Sequence, residues 1–142
     1  MYQKIIVVGN LGGDPEMRYM PDGTAVTNFS LASNRRWTDG GTGQPRDETT
    51  WFRVSVWRKQ AETANQYLSK GSKVLVEGRL RPDPATGGPR TFTRQDGTVG
   101  ASFEITADMI RFLSGRDDGD GYESNGDGYE SAPAQEEDDI PF

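Results

Sequence analysis

The stretch Trp51-Phe52-Arg53-Val54-Ser55-Val56-Trp57 alternates without a break. In an extended chain Phe52, Val54 and Val56 fall on one side, and Trp51, Arg53, Ser55 and Trp57 on the other. A side that is wholly apolar belongs against a core, so this segment is a β-strand and the rest of the chain must supply the strands that complete that core. The opposite side then carries two tryptophans about 20 Å apart at roughly 3.3 Å per residue, with an arginine between them.

Other segments of the front 113 residues read the same way. Residues 4–11 form a continuous apolar run suited to a strand buried on both sides. Residues 24–33 alternate, with Thr27, Phe29 and Leu31 on one face and Asn28, Ser30 and Ala32 on the other, after a Pro21-Asp22-Gly23 turn. Residues 73–80 set Val74, Val76 and Leu80 on one face, and residues 101–109 do so with Phe103, Ile105 and Ala107. Between residues 50–57 and 73–80, residues 60–69 place Ala61, Ala64 and Tyr67-Leu68 at helical spacing, closed by Gly71 as a left-handed cap. The expectation is an all-β domain over residues 1–113, with five short antiparallel strands and one short helix between strands 3 and 4. That order fits an OB-fold, a five-stranded Greek-key barrel, with a small β-sandwich as the rival.

Residues 114–142 are different in kind. They are rich in glycine, serine, aspartate and glutamate, with almost no aliphatic residue before Ile140, and cannot bury enough surface to offset their ordering entropy. A disordered acidic linker is expected over residues 114–135, in which Gly119-Asp120-Gly121-Tyr122-Glu123-Ser124 recurs as Gly126-Asp127-Gly128-Tyr129-Glu130-Ser131. The net charge of −6 conceals a division: residues 1–113 carry 15 basic and 12 acidic side chains, a balance of +3, whereas residues 114–142 carry one basic and ten acidic, a balance of −9. Residues 136–142 form a tip, Glu136, Glu137, Asp138 and Asp139 leading into Ile140, Pro141 and Phe142. Such a tip suits a protein partner with a basic rim and an apolar pocket. The alternative is an accidental ending on a solubilising tail.

Composition removes several function classes. Without cysteine there is no disulfide or thiolate site, and without histidine the commonest general base and metal ligand are missing. Gly9-Asn10-Leu11-Gly12-Gly13 lacks the ending of a phosphate loop, Gly41-Thr42-Gly43 lacks a third glycine of the dinucleotide fingerprint, and residues 117–123 lack EF-hand spacing. No metal and no cofactor is expected. The longest apolar run, residues 5–8, is too short for a signal-peptide core or a membrane span, which points to a soluble cytoplasmic protein with no membrane partner.

What remains is binding. Aromatic rings stack on any base, and interleaved cations track phosphates. Arg35-Arg36-Trp37, Trp57-Arg58-Lys59 and Arg90-Thr91-Phe92-Thr93-Arg94 repeat the pairing seen at Trp51 and Arg53. The glycine-rich residues 39–43 and 85–88 read as loops that bring arginines over a strand of nucleic acid. The alternatives are that the exposed tryptophans cover a subunit contact, or that the strand is flipped.

Val8-Gly9-Asn10-Leu11-Gly12, Asp14-Pro15-Glu16, Arg18-Tyr19, Trp51-Phe52-Arg53-Val54, Tyr67-Leu68-Ser69-Lys70-Gly71, Val76-Glu77-Gly78-Arg79-Leu80 and the Asp138-Asp139-Ile140-Pro141-Phe142 ending together resemble the bacterial single-stranded-DNA-binding protein family. The resemblance covers nearly all of residues 3–113 and the final six residues. It implies an OB-fold, a homotetramer, no catalysis, and sequence-tolerant coating of single-stranded DNA in replication, repair and recombination, at the nucleoid in the cytoplasm. It also implies base stacking on Trp37, Trp51, Trp57 and Phe92, the last across an apparent insertion at residues 82–89. Phosphate contacts would come from Arg35, Arg36, Arg53, Arg58, Lys59, Arg79, Arg81 and Arg94, and replication, repair and recombination proteins would be recruited by residues 136–142. Phe52 lies near a subunit contact in relatives, in tension with a purely internal core position. The rival function is an OB-fold adaptor that uses its tryptophans to hold proteins. A third class, an OB-fold hydrolase, would need converging carboxylates or a metal site in residues 1–113, and the sequence offers neither.

Overall fold

The computed structural model describes residues 1–113. The expected linker at 114–135 and tip at 136–142 lie outside the described residues. Seven strands and one helix follow in order: β1 (Ile5–Leu11), β2 (Glu16–Tyr19), β3 (Ala25–Thr38), β4 (Pro45–Trp57), α1 (Lys59–Tyr67), β5 (Lys73–Leu80), β6 (Arg90–Thr93) and β7 (Val99–Phe112).

Five of the strands close on themselves. The order β1-β5-β7-β4-β3 returns to β1 through the Asn10↔Ala32 and Leu11↔Leu31 pairs. This is the OB-fold barrel, with β2 added along β3 and β6 added along β7. The five barrel strands are not all antiparallel as expected: β4 and β7 run parallel from Phe52↔Phe103 to Ser55↔Thr106. A parallel pair needs a long crossover, and α1, β5 and β6 all lie within it.

The core follows the alternation. Val7, Phe29, Leu31, Val54, Val56, Val74, Val76 and Ile105 point inward and are buried. Ala64 and Leu68 of the α1 region join the same cluster. Thr27, fully buried, donates its hydroxyl to the Ala61 carbonyl at 2.7 Å and ties β3 to α1.

Several expectations need correction. β1 is buried on one face only, because no described element covers the outside of the barrel there: Ile6 and Val8 remain 60 % and 41 % exposed. The alternation puts Leu80 and Phe103 on core faces, but both are exposed, although they pair with Ile105 of the core and with Phe52 packed against it. β2 and β6 were not foreseen. β3 and β4 run well past the barrel as a hairpin paired as far as Thr38↔Pro45, so the expected loop at residues 39–43 lies within its tip, residues 39–44. α1 ends at Tyr67, and Leu68 is extended, its N–H still reaching the Ala64 carbonyl at 3.0 Å. Gly71 does have a positive φ of 88°, but it lies in the following turn and donates to the Leu11 carbonyl, so it is not the helix cap. In β7 the register slips between Met109 and Ala107, leaving Asp108 as a bulge beside the outer face.

Candidate nucleic-acid interface

The outer face of β4 lies between β3 and β7, with Ser30 and Asn28 paired to Arg53 and Ser55 on one side, and Glu104 and Thr106 paired to the same residues on the other. Trp51 is 54 % exposed, Arg53 is exposed and Trp57 is half-buried. Between the tryptophans, Ser55 donates to Asn28 Oδ1 at 2.6 Å, which keeps the middle of the face low and polar.

At one end, the β6–β7 hairpin folds back so that Phe92 lines the same groove as Trp51 and Arg53. Arg94 lies over the Phe92 ring at 5.3 Å, with a hydrogen bond to Thr98 Oγ1 at 3.4 Å. At the other end, Trp57, Arg58 and Arg79 line a second depression together with Asp22 and Asp108. Arg79 pairs with Asp108 at 3.7 Å. Lys59 lies beside Arg58 in a neighbouring depression with Glu62.

Trp37 stands apart on the β3–β4 hairpin, above the barrel, with the Arg35 guanidinium 4.9 Å over its ring. Arg36 is drawn to Asp47 across the hairpin at 3.4 Å. Arg81 falls in neither groove; it lines a separate cleft with Leu80, Phe103 and Pro89. The structure therefore gathers Trp51, Arg53 and Phe92, gathers Trp57, Arg58 and Arg79, and leaves Arg81 outside both sets. The tip, Glu136 through Phe142, lies outside the described residues.

Sequence reasoning missed three contributors. Gly12 lies under Trp51: a Cβ there would sit 2.5 Å from Trp51 Cζ3 and 2.8 Å from Cη2. Gly100 does the same for Phe92 and Arg94, at 2.6 Å from Phe92 Cζ and 2.7 Å from Arg94 Nη2. Glu104, paired with Arg53 across β4 and β7 and lining the Arg81 cleft, is held by Arg90 at 3.5 Å and by the Ser102 hydroxyl at 3.4 Å. The Gly12 signal lay in a glycine-rich run read only for nucleotide motifs; Gly100 and Glu104 had none, since both depend on the β6–β7 pairing.

The loops framing the grooves share one device. Asp22, Asp39 and Asp96 each accept a backbone N–H two residues on, from Thr24, Gly41 and Thr98. The N–H bonds to Thr24 and to Gly41 hold the Asp22 and Asp39 carboxyls below the usual range, and the Thr98 hydroxyl, then its N–H, does so for Asp96. No cluster of three or more carboxylates able to hold a metal occurs among the described residues, and no described helix is long and apolar enough to cross a membrane.

Residues 2–113 match the profile of the Single-strand binding protein family. The chain belongs to that family. Its fold also superposes on a solved structure described as "Plasmodium falciparum SSB complex with ssDNA", with a TM-score of 0.65 and 27 % identity, over 80 % of this chain and 97 % of that one. The family is one of DNA-binding proteins without catalytic activity.

Proposed function

We propose that this chain binds single-stranded DNA with little regard to sequence and acts in replication, repair and recombination. The observation that carries the reading is the convergence of Trp51, Arg53 and Phe92 in one groove, continued along β4 to Trp57 and Arg58. Rings supply sequence-tolerant stacking, and the arginines beside them neutralise phosphates. The structural relative described as a complex with single-stranded DNA supports the same reading.

The chain acts as a homotetramer in the cytoplasm, at the nucleoid, and recruits partner enzymes through residues 136–142. Support for self-association comes from the outer face of β1, β5 and β7, where Ile6 and Val8 are exposed beside half-buried Leu75 and Met109. Apolar area of that kind is a common site of subunit contact. Support for recruitment is the charge pattern of the tip.

Tryptophan fluorescence titrated with poly(dT) at low and high salt, against a duplex control, tests the binding. Strong quenching by the single strand and little by the duplex is expected. A folded protein showing neither quenching nor binding returns the tryptophans to a protein interface and favours the adaptor. Sedimentation showing only monomer at micromolar concentration rules out the tetramer.

A further inference from the structure

The loop from β1 to β2, residues 12–15, forms a wall of the groove beside Trp51: Gly13, Asp14 and Pro15 line it, and Gly12 stands against the ring. By composition this is a loose piece of chain. Gly13 has neither a positive φ nor any atom within 4 Å of where a Cβ would lie, so nothing local fixes it. Glycine loses more conformational freedom on ordering than any other residue, and Pro15 has no N–H to offer a hydrogen bond. Gly12 is tied to the Ser30 carbonyl at 3.0 Å. Between Gly12 and β2 the loop has one further tether among the described residues, Asp14 Oδ1 accepting the Lys70 N–H at 2.9 Å.

The other end of that tether is firmly held. Leu68 is buried in the core cluster. The turn that follows it is stitched to the end of β1: the Gly71 N–H donates to the Leu11 carbonyl and the Leu11 N–H to the Ser72 carbonyl, both at 2.9 Å, and Asn10 Nδ2 donates to the Gly71 carbonyl at 3.0 Å. The Lys70 N–H is therefore presented to Asp14 from a fixed turn. Asp14-Pro15-Glu16 and Tyr67-Leu68-Ser69-Lys70-Gly71, both prominent in the sequence, supply none of the rings and cations gathered at the binding face. Their hydrogen bond gives them a part in it.

Resting on the single-stranded-DNA reading, we infer that Asp14 is a positioning residue for base stacking: its bond to the Lys70 N–H holds the 12–15 loop in place, so that Gly12 meets the Trp51 ring and keeps it where a base can stack. The α1–β5 turn, which lines no part of the groove, thereby governs the affinity of the groove.

The test uses the full chain with Asp14→Ala and Asp14→Asn, each also combined with Trp51→Leu, and thermal unfolding and circular dichroism establish that every variant is folded. Both substitutions at residue 14 remove the same negative charge, and only asparagine keeps an Oδ1 acceptor, so their difference isolates the hydrogen bond. Poly(dT) titration is followed by tryptophan fluorescence over a range of salt; in the Trp51→Leu chains Trp37 and Trp57 give the signal. Asp14→Ala is expected to bind about threefold more weakly than Asp14→Asn, the worth of one such bond. Their slopes of log Kobs against log salt should coincide, since no phosphate contact differs between them. In the Trp51→Leu background the threefold difference should disappear. Equal affinity of Asp14→Ala and Asp14→Asn overturns the tether, and a difference that persists without Trp51 overturns its action through that ring. A wild-type chain that does not bind poly(dT) removes the single-stranded-DNA reading itself, an outcome separate from normal wild-type binding with two indistinguishable variants.

Discussion

Trp51 can occupy its place at the groove only because Gly12 has no side chain against its ring. Gly12→Ala places a methyl inside van der Waals contact of the ring and should tilt it off its platform. Since one stacked base is worth about 1–3 kcal/mol, losing part of it predicts roughly fivefold weaker poly(dT) binding with the fold intact, read by fluorescence titration and circular dichroism. Thr27 makes a different kind of contribution. Thr27→Val removes the buried hydroxyl that reaches the Ala61 carbonyl and should cost about 1–2 kcal/mol in urea unfolding, with binding unchanged. At this scale the sequence was informative about sides and silent about meetings. Alternation alone placed Trp51, Arg53 and Trp57 on the outer face of β4. It could not bring Phe92 into one groove with Trp51, because that groove depends on β6 pairing with β7 through a turn whose residues say nothing of where the hairpin leans.

Each of the β2–β3, β3–β4 and β6–β7 turns is latched by an aspartate bonded to a backbone N–H two residues ahead. Their folded pKa values lie below the unfolded ones, so this stabilisation is present above the ordinary carboxylate range, near pH 4, and is lost as pH falls through the lower folded values. Acidification is therefore expected to lower hydrogen-exchange protection at Gly41, Thr42 and Thr98 while Val54 and Val76 in the barrel stay protected, as amide NMR would show. The lengths of β3 and β4 were not legible in advance. Beyond Ser33 both faces of the hairpin meet solvent, so no apolar period marks the strands; what holds them is cross-strand pairing such as Trp37↔Arg46 and Arg36↔Asp47. The apolar run of β1 misled for the opposite reason. Val7 and Leu11 face the core while Ile6 and Val8 face outward, and a run of like residues cannot report that division.

The closed barrel as a whole rests on a small, fully shared interior. Leu31 has no exposed surface and lies at the β1–β3 seam, so Leu31→Ala should destabilise the fold by about 2–5 kcal/mol, measured by urea denaturation. The opposing charges of residues 1–113 and 114–142 act over the entire molecule. Removing residues 114–142 should strengthen poly(dT) binding at low salt, and the difference should fade as salt screens the lost negative charge. Fold class and the order of the five barrel strands about one helix could be read from the chain, since four of the strands carry their own period and the first is an unbroken apolar run. The parallel β4–β7 pair could not, because closure is a property of all the strands at once. β7 pairs with β4, β5 and β6, and it is the last strand described. During synthesis β4 and β5 must wait, with unpaired edges, until residues 99–112 have left the ribosome. A nascent chain stalled before Val99 thus offers neighbouring chains the strand edges that the finished barrel hides.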